Sequence, residues 1–217
     1  MLRLDFPRPA GRTLRILCLG AHSDDIEIGC GGTVVRLLQE CDNIEAWWVV
    51  FGANGQRRTE AEAGAHLFLS DAKEKQIIIH DFKDGFFPHV GAQIKERFES
   101  LKESISPDLI LTHYRNDLHQ DHRLVSELTW NTFRNHLILE YEILKYDGDL
   151  GAPNFFVHLD DTICQRKIDY IRNCFKSQAD KPWFTDDAFL SLLRIRGVES
   201  NAPERYSEAF YCRKIVL

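Results

Sequence analysis

The chain has 217 residues, 44% of them hydrophobic and 28% charged, with a formal net charge of -6, the balance of a water-soluble domain with a core of its own. An acidic chain offers no basic face to displace counterions from phosphates, which excludes a non-specific nucleic-acid binder. No stretch approaches the ~18 uninterrupted apolar residues of a membrane span, Met1 to Arg12 lacks the apolar core of a secretion signal, and six scattered cysteines form no CxxC pair, so the reading is a cytoplasmic chain with no membrane span and with reduced, packed thiols, Cys30 included.

Residues 1 to 13, broken by Pro7, Pro9 and Gly11, read as an irregular lead-in. The apolar run Leu14 to Gly20 is the first strand. His22-Ser23-Asp24-Asp25-Ile26-Glu27 then reads as an acidic loop, delivering the chain into a helix that opens at Gly31-Gly32-Thr33, with Thr33 as cap, and runs to about Glu40. Ile44 to Phe51, rich in β-branched and aromatic residues, is the second strand, followed by a polar loop and a helix from Thr59 to Leu69. Gln76 to His80 is the third strand, Ala92 to Glu103 a helix and Pro107 to Thr112 the fourth strand. A second polar cluster, Asn116-Asp117-Leu118-His119-Gln120-Asp121-His122, follows it and leads into a helix ending near Asn135. In the last third, Tyr141 to Tyr146, Asn154 to Leu159 and Ala209 to Leu217 read as strands, and Asp161 to Phe175 and Asp186 to Ile195 as helices. Strands alternating with helices predict one α/β domain over residues 1 to 217, a Rossmann-like three-layer fold with a mostly parallel sheet. Such sheets bind ligands at the C-terminal strand edge, where both polar clusters fall.

The chemistry of the two clusters points to one metal. Crowded carboxylates repel one another and must be paired or metal-bound when partly buried. Catalytic zinc takes three protein ligands and leaves a position open for a water whose pKa it lowers. His22 and Asp25 supply two ligands from one turn, and His122 a third. Asp24 is then placed as general base, His119 as oxyanion stabiliser and acid, and Asp121 as the carboxylate that holds the His119 ring and favours its protonated form. Chemistry alone leaves Asp24 interchangeable with Asp25, and His119 with His122. The other histidines (His66, His80, His89, His113, His136, His158) read as structural or surface residues by default, although His80 and His113 end strands, so either could edge the pocket. Trp47, Trp48, Phe86, Phe87, Trp183 and Phe184 could offer ring faces to a ligand, although paired aromatics are more often core.

At these residues the chain resembles the PIG-L or LmbE-like family of zinc-dependent N-deacetylases, which act on N-acetylglucosamine-containing compounds. The first family motif, Ala-His-Pro-Asp-Asp with a following glutamate and Gly-Gly-Thr, stands here as Ala21-His22-Ser23-Asp24-Asp25, Glu27 and Gly31-Gly32-Thr33; the second, His-x-x-Asp-His, as His119-Gln120-Asp121-His122. The resemblance implies His22, Asp25 and His122 as zinc ligands, Asp24 as base and His119 as oxyanion stabiliser and acid, which closes the two interchanges. Arg57-x-x-Glu60 resembles the family's Arg-x-x-Glu helix start, whose arginine faces the substrate, with Arg58 an equally near candidate. Lys167 to Ser177-Gln178 and Arg196-Gly197 through Glu208-Ala209-Phe210 resemble later family segments. Ser23 departs from the family proline, which loosens the turn or adds a hydroxyl near the metal. The implied substrate is a small-molecule N-acetylated sugar or conjugate, and the implied assembly a homo-oligomer. A His-Asp-His site also admits Fe2+ or another divalent ion.

Two other readings compete. Ile28-Gly29-Cys30-Gly31-Gly32 superficially resembles the glycine loop of an S-adenosylmethionine-dependent methyltransferase, but eight residues, Ala21 to Ile28, separate it from the strand end. A zinc-binding family member without turnover keeps every motif and differs only in what Asp24 does.

Overall fold

The computed structural model describes residues 13–216, so the expected lead-in lies almost wholly outside the described residues. Seven strands form one sheet: β1 (Leu14–His22), β2 (Ile44–Gly52), β3 (Glu74–Ile79), β4 (Leu109–His113), β5 (Leu137–Tyr141), β6 (Phe155–Leu159) and β7 (Tyr206–Cys212). Their order is β3-β2-β1-β4-β5-β7-β6. The first five run parallel, and β7 lies antiparallel to both β5 and β6. Among the described residues, six α-helices connect them: α1 (Asp25–Glu40), α2 (Gly55–Phe68), α3 (Gly91–Ser104), α4 (Gln120–Thr132), α5 (Asp161–Cys174) and α6 (Asp186–Glu199).

The chain leaves β1 toward β2 on one side, and β4 continues the sheet on the other. The gap between their C-terminal ends is therefore the topological switch point, where a crevice opens in such sheets. The register pairs Cys18 with Leu111, so His22 and His113 end neighbouring strands.

Side chains alternate across the sheet with the period of two that a strand imposes. Ile16 and Cys18 face a core shared with α1, α2 and α5, and Leu17 and Leu19 face one shared with α3 and α4. Trp48 is wholly buried against Phe68, Trp47 packs on the opposite face, and Trp183 and Phe184 pack on the larger core. These four aromatics belong to the packing. All six cysteines are free thiols. Among the described residues, no helix is long and apolar enough to cross a membrane.

Several element boundaries depart from the sequence reading. The acidic segment is no loop: α1 begins at Asp25, so Asp25 and Glu27 occupy its first turn, where the helix dipole favours negative charge. Thr33 consequently lies inside the helix and caps nothing. The glycines of α1 are there for close approach, since a Cβ at Gly29 would sit 2.1 Å from the Tyr141 ring and one at Gly32 2.6 Å from Leu159. With this segment helical, the glycine loop of a methyltransferase is absent. Helix α2 starts at Gly55 rather than Thr59. The strand expected at Tyr141 to Tyr146 is instead β5 at Leu137–Tyr141, where pairing with β4 sets the register. The last strand is Tyr206–Cys212, ending before the expected Leu217, which lies outside the described residues.

Candidate metal centre

The turn from β1 into α1 carries His22, Ser23 and Asp24, and the turn from β4 into α4 carries Asp117 and His119. Their meeting follows from the adjacency of β1 and β4. His22 Nδ1 lies 3.2 Å from His122 Nε2 and 3.4 Å from one Asp25 oxygen, while the other Asp25 oxygen lies 3.5 Å from His122 Nε2. Donor atoms on a tetrahedral cation with bonds of ~2.0–2.1 Å are about 3.3 Å apart, so these spacings suit a small divalent ion. His119 and His113 each stack on the His122 ring; His22, His119 and His122 form one set of donors within 4.8 Å of each other, Asp25, His113 and His122 a second, and His22, Asp84, His119 and Asp121 a third.

Neighbouring carboxylates orient both rings. His22 Nε2 donates to Asp84 Oδ1 (3.1 Å) and Asp121 Oδ2 (3.2 Å), which leaves the Nδ1 lone pair for the shared point. His122 Nδ1 donates to Asp117 Oδ2 (3.0 Å), which leaves its Nε2 lone pair for the same point. Two lone pairs and a carboxylate facing one another in a buried place need a proton or a metal cation between them. The residues therefore fit a divalent metal.

The electrostatics follow from burial and this crowding. Burial disfavours a charged His22, yet Asp25, Asp121 and Asp84 hold its pKa well above the ordinary histidine value. Burial would also raise Asp25, but the rings of His122, His113 and His22 hold it well below the carboxylate range. Burial and the neighbouring His113 push His122 down to about 4. Asp24 goes the other way: burial and the Asp25 charge push it up to about 6, against the pull of Arg57. Such a carboxyl takes up a proton readily. Burial, then His22, lowers His119, whose Nδ1 accepts the Asp121 backbone N–H at 3.2 Å, leaving Nε2 as the protonated nitrogen of a neutral ring.

The sequence assignment of Asp121 needs correction. Its carboxylate does not hold the His119 ring and does not make that ring cationic. One oxygen accepts Gly85 N–H (2.6 Å) and faces His22 Nε2, and the other accepts Phe87 N–H (3.1 Å). Gly85, at φ +78, makes the turn that brings its N–H there. Asp121 thus ties the loop after β3 to the His22 ring.

Arg57 and Arg58 separate cleanly. Arg57 reaches Ser23 Oγ (3.2 Å), Asp84 (3.1 Å) and Asp24 (3.8 Å), whereas Arg58 pairs with Glu62 on the outer face of α2. The hydroxyl that Ser23 brings in place of proline is buried and accepts from Arg57. Glu27 is buried with neither oxygen hydrogen-bonded, outside the donor sets. Phe87 is buried with its ring 5.8 Å from His22, and Phe86 is partly exposed. His80, expected at a strand end, lies one residue past β3 and stacks on Phe51, outside the donor sets.

Four further groups belong to the site: Asp84, His113, Asp117 and Lys145. His113 is wholly buried, stacked on His122 with ring centroids 4.0 Å apart, and lies 3.2 Å from Asp25. Its place at a strand end was the signal for it. Asp117 stood unassigned inside the second cluster, and Asp84 and Lys145 carried no local signal.

The PIG-L family profile, described as GlcNAc-PI de-N-acetylase, matches residues 17–133, a span that holds both motifs. The chain belongs to the PIG-L family. Among curated proteins, this family member is 29% identical over 128 residues to an uncharacterized deacetylase, YaiS, of Escherichia coli K12, covering 54% of this chain and 66% of that protein; it spans just under two thirds of that relative's length. Among solved structures, it is similar to the N,N'-diacetylchitobiose deacetylase of Pyrococcus horikoshii, with a TM-score of 0.66, 21% identity and coverage of 92% and 83% of the two chains. It is also similar to GalB, the 4-carboxy-2-hydroxymuconate hydratase of Pseudomonas putida KT2440, with a TM-score of 0.73, 15% identity and coverage of 94% and 98%. These two likenesses establish the fold.

Proposed function

We propose that this PIG-L family member is a metal-dependent N-deacetylase that hydrolyses the N-acetyl group of a sugar or sugar conjugate, with zinc as its resident ion and His22, Asp25 and His122 as ligands. The observation that carries the reading is the convergence of those three donors beside Asp24 and His119. A hydratase shares the fold, so the fold alone selects no reaction; family membership and this constellation together favour amide hydrolysis.

When bound, the cation supplies the acidity that makes water a nucleophile near neutral pH and polarises the amide carbonyl. Asp24 accepts the proton of the attacking water. The oxygen adds to the carbonyl carbon, and His119 Nε2–H donates to the negative oxygen of the tetrahedral intermediate. Asp24, now protonated, passes that proton to the amine nitrogen as the C–N bond breaks, and acetate leaves; His119, a neutral ring with one proton, serves as the oxyanion donor and not as the acid. Arg57 and Asp84, paired at the mouth of the site, are placed to hydrogen-bond sugar hydroxyls.

The test is acetate release from a panel of N-acetylated sugars and conjugates by zinc-loaded protein, beside an Asp24→Asn variant with the same metal content. Release by the wild type alone supports the reading. No release from any member sinks it in favour of a metal-binding protein without turnover, and equal release by both proteins takes the base role from Asp24.

A further inference from the structure

The loop between β5 and β6 touches the metal centre through one lysine, and its arrangement is more than a surface ion pair. Asp117, buried in the turn after β4, uses one oxygen to accept His119 N–H (2.7 Å) and the other to accept both His122 Nδ1–H and Lys145 Nζ–H (3.0 Å each). Lys145 Nζ also reaches both Asp149 oxygens (2.6 and 2.5 Å), and Asp149 accepts Leu118 N–H at 2.7 Å. The Lys145 and Asp149 side chains are 12% and 8% exposed. The strand ends that bear these two loops are neighbours, with His113 opposite Tyr141.

We infer that Lys145 and Asp149 are positioning residues for the metal centre: acting through Asp117, they lock His122 with its Nε2 lone pair toward the metal. The physical need is plain. A buried carboxylate whose only partners are a neutral ring and one amide is poorly compensated, and it gains its countercharge from the Lys145 ammonium. Asp149 balances that ammonium and anchors it to the backbone beside the ligand loop. With Asp117 fixed, the His122 ring cannot exchange its two nitrogens without losing a charge-assisted hydrogen bond. This inference rests on the metal reading of the site, and not on the reaction proposed for it.

The experiment strips the protein of metal and titrates zinc against a chromophoric chelator, for the wild type, Lys145→Met and Lys145→Arg. Partners of this kind are worth about 10–100-fold in metal affinity, so Lys145→Met should bind zinc weaker by that factor, and Lys145→Arg should recover part of the loss. Thermal unfolding of the apo forms separates the alternatives, because a merely structural lysine would lower apo stability and leave affinity unchanged. A folded Lys145→Met with wild-type affinity overturns the inference. Should that variant not fold, nitrogen NMR of the wild-type apo protein decides: a proton on His122 Nδ1 supports the inference and a proton on Nε2 overturns it. Failure of the wild type itself to bind zinc would sink the metal reading, whereas zinc binding without acetate release would sink only the deacetylase.

Discussion

The Nδ1 of His22 and the Nε2 of His122 lie 3.2 Å apart, although 100 positions of chain separate the two residues. Each ring spends its other nitrogen on a carboxylate, so both present lone pairs to one point. Removing either ring should empty that point of metal. Elemental analysis after dialysis against metal-free buffer should find about one zinc or iron per chain in the wild type and almost none in His122→Ala. Metal retained in full by the variant would mean that the two motifs do not share an ion.

Asp24 provides the pH test. Its carboxyl, pushed up to about 6 by burial and Asp25, must be ionised to accept a proton from water. Activity should therefore fall as pH drops through that value. A bound divalent cation stabilises the carboxylate, so the acid limb of kcat/KM should lie at or below about 6 in the metal-loaded protein. Asp24→Asn should keep the metal and lose ~10²–10⁴-fold in kcat. An acid limb that survives in the residual activity of that variant would belong to another group.

Arg57 shapes the same profile from outside. Its guanidinium, 3.8 Å from Asp24, favours the ionised form of that carboxyl. Pairs of this exposure contribute ~0.2–1 kcal/mol, which corresponds to about 0.1–0.7 pH unit. In Arg57→Ala the acid limb should move to higher pH by that much, together with a rise in KM if the side chain also holds substrate. Ser23→Ala removes only a hydroxyl that accepts from Arg57 and should raise KM with the limb unmoved. A limb that stays where it is in Arg57→Ala would show that the two groups are not coupled.

What the sequence made legible here is what depends on local spacing. Parallel strands, the crossover helices and both histidine motifs all have periods or short spacings that can be read one segment at a time. The start of α1 was missed because a run of carboxylates followed by glycines has the local preferences of a loop. Its helical state depends on the dipole at Asp25 and on Tyr141 and Leu159 pressing against Gly29 and Gly32. The strand β5 was hidden because Leu137-Ile138-Leu139 follows a helical stretch with Asn135 as its main turn residue and no Gly or Pro, and the register with β4 marks it. Asp84 and Lys145 are single charged residues in loops. Nothing near them in the chain distinguishes them from solvent-facing charges, and their roles follow from which strand ends the topology makes neighbours. The misassigned Asp121 has the same origin, since its partners Gly85 and Phe87 lie 36 and 34 positions away.

The buried pair of Lys167 and Glu208 carries a prediction about stability. Lys167 Nζ lies 2.6 Å from Glu208 Oε1 and donates to Ile28 O at 2.6 Å, while the two Glu208 oxygens accept Gly32 N–H (2.8 Å) and Thr33 N–H (2.6 Å) from the middle of α1. Helix α1 is thus tied at its glycines to α5 and β7. Lys167→Met leaves a buried carboxylate without its countercharge, which costs about 3–5 kcal/mol. For a chain of this size that is a fall in Tm of ~6–20 °C. Adding Glu208→Gln removes the stranded charge, so the double variant should lose less than the two single variants together, with a coupling of ~0.5–3 kcal/mol. Denaturant unfolding of the four proteins at constant metal content measures it. Strict additivity would mean that the two groups share no interaction worth having.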